Sequence, residues 1–360
     1  MIDYKKIGIK HFKRSKFKEA IFYFSLAYEK TQDKNLLFLI QICSLGEKNA
    51  EEAKLLFDYF MDKLRAGEDD EGMDEILKIS KHITFNSFAQ WQKFKGIALQ
   101  NGIICGLRVN PEVSLAPTDS YNPCGKFSRL GITRANFKPE LLDGISGLHF
   151  HALCEESASS LQTVLEAFEE KFGEFIPKMK WINMGGGHHI TRADYDVELL
   201  IKIVRRFREK YGVEVYLEPG EAVGWQTGFL ISSVLDIVHN EKDIAILDTS
   251  AEAHMPDTVL MPYRPAVRGE SKNGKFAYRF GGNTCLAGDI VGLEADDAEY
   301  KFDSELKIGD RVIFEDQIHY TIVKNTTFNG IKLPDLVLLK ENGEVKMIRE
   351  FGYEEYKRRN

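Results

Sequence analysis

The chain has no C-x-x-C pair, no uninterrupted apolar run of membrane length, no long block of consecutive basic residues, and no proline in its first 65 residues. Its five cysteines, Cys43, Cys105, Cys124, Cys154 and Cys285, are odd in number and widely scattered. A disulfide framework and a paired-cysteine zinc site are therefore excluded, and reduced thiols with a cytoplasmic address are expected. The opening Met1-Ile2-Asp3-Tyr4-Lys5-Lys6 runs into no apolar core of the kind a secretory leader carries. The most apolar stretch, Gly228 to Val238, is broken by Ser232, Ser233 and Asp236. It falls short of the roughly 20 residues a spanning helix needs, so no membrane partner is expected. Lys and Arg number 48 against 55 Asp and Glu, a net charge of −7. Without a basic run to neutralise phosphates, nucleic acid is not an expected partner.

What is present is an ordinary globular composition of 43% hydrophobic and 29% charged residues over 360 positions. At roughly 150 residues per domain, that length suits two or three folded units. Ala20, Ile21, Phe24, Ala27 and Tyr28 recur at helical spacing. Further helical stretches are predicted over Lys34 to Leu45 and Ala50 to Arg65. The small residues bracketing Phe24 resemble one tetratricopeptide-like hairpin, or a generic helical hairpin, over 1–66. An acidic, glycine-bounded linker follows at 67–75.

Beyond it, β-rich runs (His82 to Phe85, Gly102 to Val109, Gly147 to Leu153, Lys180 to Met184, Val213 to Leu217) alternate with amphipathic helices. One helix carries Leu161, Val164, Leu165, Phe168 and Phe172; another carries Val197, Leu200, Ile201, Val204 and Phe207 and stops at Gly212. This alternation predicts a parallel α/β unit over 76–228, either a (β/α) barrel or a doubly wound sheet, with ligands at the C-terminal strand ends. From Phe229 the helical period fades, and a β-rich domain is expected over 229–360.

Polar residues gather at the predicted strand ends. His149 and His151 are two apart and share a face of their strand, which suits a metal, an aromatic cofactor or a hydrogen-bonded core. Gly185, Gly186 and Gly187 follow a strand and precede a helix; exposed amides there suit a phosphate, with a flexible turn as the alternative. Glu218 and Glu221 reach the same rim, as acid or base, metal ligand, or partner of a protonated ring nitrogen. Asp248, His254 and Asp257 lie in a polar segment resembling a site loop. Cys285 and Asp289 lie in a glycine-punctuated loop, and Tyr320 is expected as a strand aromatic.

The segments GLRVNPE at 106–112, SRLGI at 128–132, GLHFHALCEE at 147–156 and GGGHH at 185–189 occur in one order with EPGEAVGWQTG at 218–228 and DTSAEAHMPD at 248–257. They are followed by GNTCLAGD at 282–289 and HYTIVKNTTFNG at 319–330. Together, over about residues 76–360, they resemble the carboxynorspermidine (carboxyspermidine) decarboxylases. That resemblance implies an alanine-racemase-type barrel with a C-terminal β-domain, pyridoxal 5′-phosphate as cofactor, removal of CO2 from a polyamine substrate, and a homodimer with shared sites. It further implies that His151 stacks on the cofactor ring, Arg108 lies near the ring substituents, and Gly185, Gly186, Gly187 and Tyr320 hold the phosphate. Glu218 would pair with the ring nitrogen. Cys285 would protonate the carbanion, and Asp289 would meet a substrate amine, both in the partner's site. Glu221, Asp248, His254 and Asp257 would help bind substrate.

One element of the family pattern is missing. The Ala-Leu-Lys segment whose lysine forms the Schiff base should precede His82, and no Ala-Leu-Lys occurs in the chain. Lys78 and Lys81 precede a strand rather than ending one. The expectation is an incomplete barrel of about five strands and a decarboxylase by descent, weak or inactive as a single chain. Two alternatives remain: a non-catalytic fusion binding polyamine or protein, and a metal-dependent barrel hydrolase using His149, His151, His188, His189 and Asp248.

Overall fold

Alternating hydrophobic periods of 3.6 and 2 residues place each element. The computed structural model describes residues 4–31, 39–40, 50, 72–116, 119–260, 263–292 and 298–359. The helical stretches expected at 34–45 and 50–65, and most of the linker at 67–75, lie outside these residues. The chain divides into two compact units, Met1–Ile83 with Gly96–Ile104, and Thr84–Lys95 with Cys105–Asn360.

In the first unit, α1 (Tyr4–Lys13) and α2 (Phe17–Thr31) form a hairpin. Phe12, Phe17, Ala20, Phe24 and Ala27 make its buried core. The spacing of Ala20, Phe24 and Ala27 is the helical period read from sequence. Gly8 lets the helices close, because a Cβ there would stand 2.6 Å from the Phe24 ring. Helix α3 (Met73–Ile79) follows.

A five-stranded sheet has the order β1 (His82–Phe85), β2 (Ile104–Arg108), β3 (Ile145–His149), β4 (Trp181–Asn183), β5 (Glu214–Tyr216). The pairs β2–β3, β3–β4 and β4–β5 are parallel. Parallel neighbours need crossovers. Helix α4 (Phe88–Gln100) connects β1 to β2, α5 (Ala158–Phe172) connects β3 to β4, and α6 (Val197–Tyr211) connects β4 to β5. Only short 3-10 turns occupy the described part of the β2–β3 connection.

Ser157 caps α5 by accepting from Ser160 N–H at 3.2 Å, and the helix buries Leu161, Val164, Leu165, Phe168 and Phe172, as its spacing predicts. Asp196 caps α6 through Leu199 N–H at 2.8 Å, and Gly212, at φ 66°, closes it. The buried stripe of α6 is Leu200, Ile203 and Phe207, whereas Val197 is exposed. The apolar face is thus turned slightly from the sequence expectation, because Val197 is the first helical residue and stands at the open end.

The second sheet has the order β10 (Arg311–Glu315), β6 (Phe229–Asn240), β7 (Lys242–Leu247), β8 (Phe276–Gly281), β9 (Tyr300–Phe302). All its pairs are antiparallel except β7–β8. Its core gathers on Phe280, whose ring lies 4.6 Å from Tyr300 and 5.7 Å from Phe314. Short helices α7 (Gly220–Gly224), α8 (Ala251–His254), α9 (Asp257–Leu260), α10 (His319–Val323) and α11 (Tyr353–Arg359) interrupt the strands. A hairpin of β11 (Leu336–Leu339) and β12 (Val345–Arg349) stands near the C-terminus. Tyr320, expected on a strand, lies on α10; the residues around it are too few to show either period. No helix among the described residues is long and apolar enough to cross a membrane. Among the described residues, the architecture is an incomplete (β/α) barrel of the alanine-racemase type with a C-terminal β-domain, preceded by helices.

Candidate active site

Register across the parallel strands aligns Arg108 with His149, His149 with Asn183, and Asn183 with Tyr216. Side chains alternate along each strand, so aligned residues share one face of the sheet. Leu107, Leu148 and Ile182, one position earlier, turn to the opposite face and are fully buried. Two positions before the polar row stand Gly106, Gly147 and Trp181. The indole lies where side chains of the glycines would be: a Cβ would stand 2.3 Å from it at Gly106 and 2.1 Å at Gly147. Trp181 thus forms a floor beneath the polar row, tied by its Nε1–H to Ser146 Oγ at 3.2 Å.

Strand β3 ends at His149, so His151 lies just beyond it, in the loop. The two imidazoles still approach, with centroids 6.4 Å apart. His149 Nε2 is 3.6 Å from Glu218 Oε2, and Asn183 Nδ2 donates to Glu218 Oε1 at 2.7 Å. The contact with His149, then the bond from Asn183, outweigh desolvation and push the Glu218 carboxyl down to about 2. Burial first, then the charges of Arg108 and His149, lower His151, favouring its neutral form. Burial also lowers the Arg108 guanidinium, against the charges of Cys124 and Glu218.

The glycine run packs as closely as its composition suggests. A Cβ at Gly185 would stand 2.5 Å from Phe150 O, at Gly186 2.4 Å from Glu218 O, and at Gly187 2.2 Å from Leu153 O. Gly185 and Gly187 also take φ of 73° and 79°, which disfavours any side chain. Gly185 N–H donates to Asn183 Oδ1 at 2.8 Å, and Gly186 N–H donates to His151 Nδ1 at 3.2 Å. His151 Nδ1 is therefore an acceptor, and its Nε2 carries the proton of the neutral ring.

His151, Gly187 and Glu218 open onto a cavity of about 1120 Å³, whose wall also includes Glu221, Asp257 and Tyr320. Asp257 Oδ1 pairs with Lys324 Nζ at 2.6 Å and accepts from Tyr121 OH at 3.4 Å. Burial and the neighbouring charge of Glu155 push the Glu221 carboxyl up to about 7. His319 stands 4.0 Å from Glu221 Oε1 and 3.3 Å from Asp316 Oδ1. Asn183, Lys324, Asp316 and His319 were not singled out from sequence. Asn183 alone carried a usable signal: it ends a strand, directly before the three glycines.

Four of the other expected site residues lie away from this cavity's wall. Asp248 and His254 line a second cavity of about 660 Å³. Asp248 Oδ1 accepts from Ser232 Oγ at 2.6 Å and Ser233 N–H at 2.8 Å, and these bonds outweigh burial to hold its carboxyl below the usual range. His254 Nδ1 contacts Thr249 Oγ1 at 2.8 Å and accepts from Ser250 N–H at 3.2 Å; burial lowers the imidazole to about 4. Asp289 is buried, with Oδ1 accepting from Ala251 N–H at 2.7 Å and Oδ2 from Thr284 Oγ1 at 2.6 Å. Cys285 is exposed. The metal-hydrolase ligand set is not assembled. Among the described residues, His149 and His151 gather with Glu218, within 4.8 Å of one another, without His188, His189 or Asp248.

A barrel that presents histidines, a depressed glutamate and a glycine turn at its strand ends, capped in sequence by a β-domain, defines a cofactor-binding barrel enzyme. The family model for the pyridoxal-dependent decarboxylase, C-terminal sheet domain, matches residues 23–317. The chain belongs to the pyridoxal-dependent decarboxylases, carbon–carbon lyases whose cofactor is pyridoxal phosphate. It is 55% identical over 326 residues to the carboxynorspermidine/carboxyspermidine decarboxylase of Campylobacter jejuni subsp. jejuni serotype O:6, covering 86% of this chain and 83% of that protein. It is 43% identical over 293 residues to the carboxyaminopropylagmatine decarboxylase of Synechocystis sp., covering 80% and 74%. The crystal structure of carboxynorspermidine decarboxylase from Campylobacter jejuni complexed with norspermidine superposes with a TM-score of 0.72 at 55% identity, over 79% of this chain and 77% of that one. Membership in this family sets aside the metal-hydrolase reading.

Proposed function

We propose that the chain is a polyamine-pathway decarboxylase acting on carboxynorspermidine or carboxyspermidine. The observation that carries this reading is the charge of the cavity wall: Glu155, Glu221, Asp257 and Asp316 line it, facing few cations. A low-dielectric wall of carboxylates attracts a polycation and fixes its amines by charge-assisted hydrogen bonds.

The ring end of a pyridoxal phosphate fits the residues present. Glu218, kept ionised by His149 and Asn183, would hold a proton on the pyridine nitrogen. His151, fixed by Gly186, would stack on the ring, with Arg108 near its substituents. Gly185, Gly186, Gly187 and Tyr320 would hold the phosphate. When bound, the cofactor supplies the electron sink for the charge left by loss of CO2. The aldehyde end fits less well. Lys324 lines the cavity, but its Nζ is held 2.6 Å from Asp257 Oδ1 rather than free to reach an aldehyde. Glu221 and Asp257 would bind substrate amines, whereas His254 and Asp248 line the second cavity.

Cys285 is exposed, which suits a homodimer in which that loop completes the partner's site with the cysteine as proton donor; Asp289, assigned to a substrate amine, has both carboxylate oxygens bonded within its own chain. The thiols of Cys124, Cys154 and Cys285 agree with a cytoplasmic enzyme. Incubation with pyridoxal phosphate and carboxynorspermidine, with norspermidine read by mass spectrometry, tests the proposal. Product formation supports it; norspermidine binding without turnover favours the second reading, a polyamine-binding protein.

A further inference from the structure

Three residues of the ring site close a cycle of hydrogen bonds through the side chain of Asn183. Gly185 N–H donates to Asn183 Oδ1 at 2.8 Å, Asn183 Nδ2 donates to Glu218 Oε1 at 2.7 Å, and Glu218 N–H donates to Gly185 O at 2.8 Å. Only one orientation of the Asn183 amide satisfies both of its partners, since a backbone N–H can only donate and an ionised carboxylate can only accept. Asn183 ends β4, and its own carbonyl accepts from Phe150 N–H at 2.9 Å, so the backbone beneath the amide is tied to the chain that leaves β3. The second carboxylate oxygen of Glu218 faces His149, the register neighbour of Asn183, at 3.6 Å.

We propose that Asn183 is a positioning residue for the cofactor: it fixes the Glu218 carboxylate to the start of the glycine turn, so that the groups assigned to the ring nitrogen and to the phosphate form one rigid frame. This deepens the assignment of Glu218 and the glycines made above and rests on it. Asn183 acts through these neighbours. The cycle defines the side chain it needs, because an acceptor towards Gly185 and a donor towards Glu218 must come from one short group. Aspartate would set a second carboxylate against Glu218, leucine of similar size offers neither function, and glutamine is longer by a methylene.

The backbone around the cycle is already fixed by packing. Gly185 takes φ of 73°, and a Cβ at Gly186 would stand 2.4 Å from Glu218 O, so the turn and the Glu218 main chain lie against one another. The carboxylate is not fixed in this way. It stands at the end of a flexible side chain that is 52% exposed, where water competes for it and rotamer freedom favours its release. The Asn183 bond is charge-assisted and short, and it holds one oxygen directly. The charged and titratable groups facing Glu218 are His149, His151 and Arg108. None of them links the carboxylate to the glycine turn through hydrogen bonds at both ends, as Asn183 does.

The test is titration of the full chain with pyridoxine 5′-phosphate, which carries the ring and the phosphate but no aldehyde and so binds without a lysine. The ultraviolet spectrum of the bound ring reports whether its nitrogen is protonated. In the wild type a fixed carboxylate is expected to raise the pH at which the bound ring loses that proton, relative to the free compound, and Glu218→Gln is expected to abolish the rise. Asn183→Leu is expected to weaken binding at least about tenfold and to remove at least half of the rise, although Glu218 is still present. Should Asn183→Leu fail to fold, Asn183→Ser, whose hydroxyl suits Gly185 N–H but is too short for Glu218, is read in the same way. A folded Asn183 variant with an undiminished rise, whether or not its affinity falls, overturns the positioning role and leaves the ring site standing. Absence of binding by the wild type, or a rise that persists in Glu218→Gln, overturns the ring site as well.

Discussion

Lys324 Nζ stands 2.6 Å from Asp257 Oδ1 on the wall of the cavity onto which His151 and Glu218 open. The pair is part-buried, with Tyr121 OH also directed at the same carboxylate oxygen. The contact holds the lysine against a carboxylate rather than free in the cavity.

Asp257→Asn removes the counter-ion of Lys324 and leaves an unpaired ammonium beside the polyamine path. Norspermidine affinity is expected to fall at least about tenfold, and to depend less steeply on salt than in the wild type. Calorimetry at two ionic strengths checks this; unchanged affinity would remove Asp257 from substrate binding.

The Glu218 carboxyl, lowered to about 2, favours the ionised form in the folded protein. Its contribution to stability is therefore present above the ordinary carboxylate range and is lost as pH falls towards about 2. Glu218→Gln is expected to flatten that acid limb of a denaturation profile. It is also expected to weaken pyridoxal phosphate binding by about tenfold or more, since the charged partner of the ring nitrogen is gone. A fluorescence titration with the cofactor measures the second effect independently of the first.

His188 and His254 are both buried, and burial lowers each to about 4. The unfolded chain therefore binds protons that the folded chain rejects between the ordinary histidine range and about 4. Stability is full above that ordinary range and falls as pH drops through the window, by on the order of 2 kcal/mol per histidine. Urea midpoints at successive pH values report it, and His254→Asn should remove about half of the slope.

Gly147 and Trp181 share a register position, and the indole occupies the space a Gly147 side chain would fill. Gly147→Ala is expected to destabilise the second unit by about 1–3 kcal/mol, through displacement of a large ring in a packed layer. The unfolding midpoint measures the loss, and an unchanged midpoint would show that the Trp181 floor is not fixed.

Much of the site was legible because strand ends announce themselves. His149, Glu218 and the three glycines each close a β-rich run, and a parallel sheet brings such ends to one rim whatever lies between them. Asn183 and Trp181 were harder to read: their roles depend on pairing with β3, a long-range register that local spacing does not encode. Asp248 and His254 read as residues of the same site loop as Asp257, yet they line the second cavity. Spacing shows that a loop is polar, not which wall it faces. Tyr320, His319 and Asp316 were obscured for a related reason, since a five-residue helix is too short to display a period. The helical hairpin was legible over α1 and α2 because Ala20, Phe24 and Ala27 repeat within a single element.

The central claim is a pyridoxal phosphate ring site, built on Glu218 and His151, whose cavity wall carries, among the described residues, only a lysine already paired with a carboxylate, Lys324. The most direct measurement is titration of the full chain with pyridoxal phosphate, followed by borohydride reduction and peptide mass mapping. Saturable binding that is weakened in Glu218→Gln, with no stoichiometric pyridoxyl-lysine on any peptide, is the predicted result. A stoichiometric pyridoxyl group on Lys324 or any other lysine, or no saturable binding at all, would contradict the account.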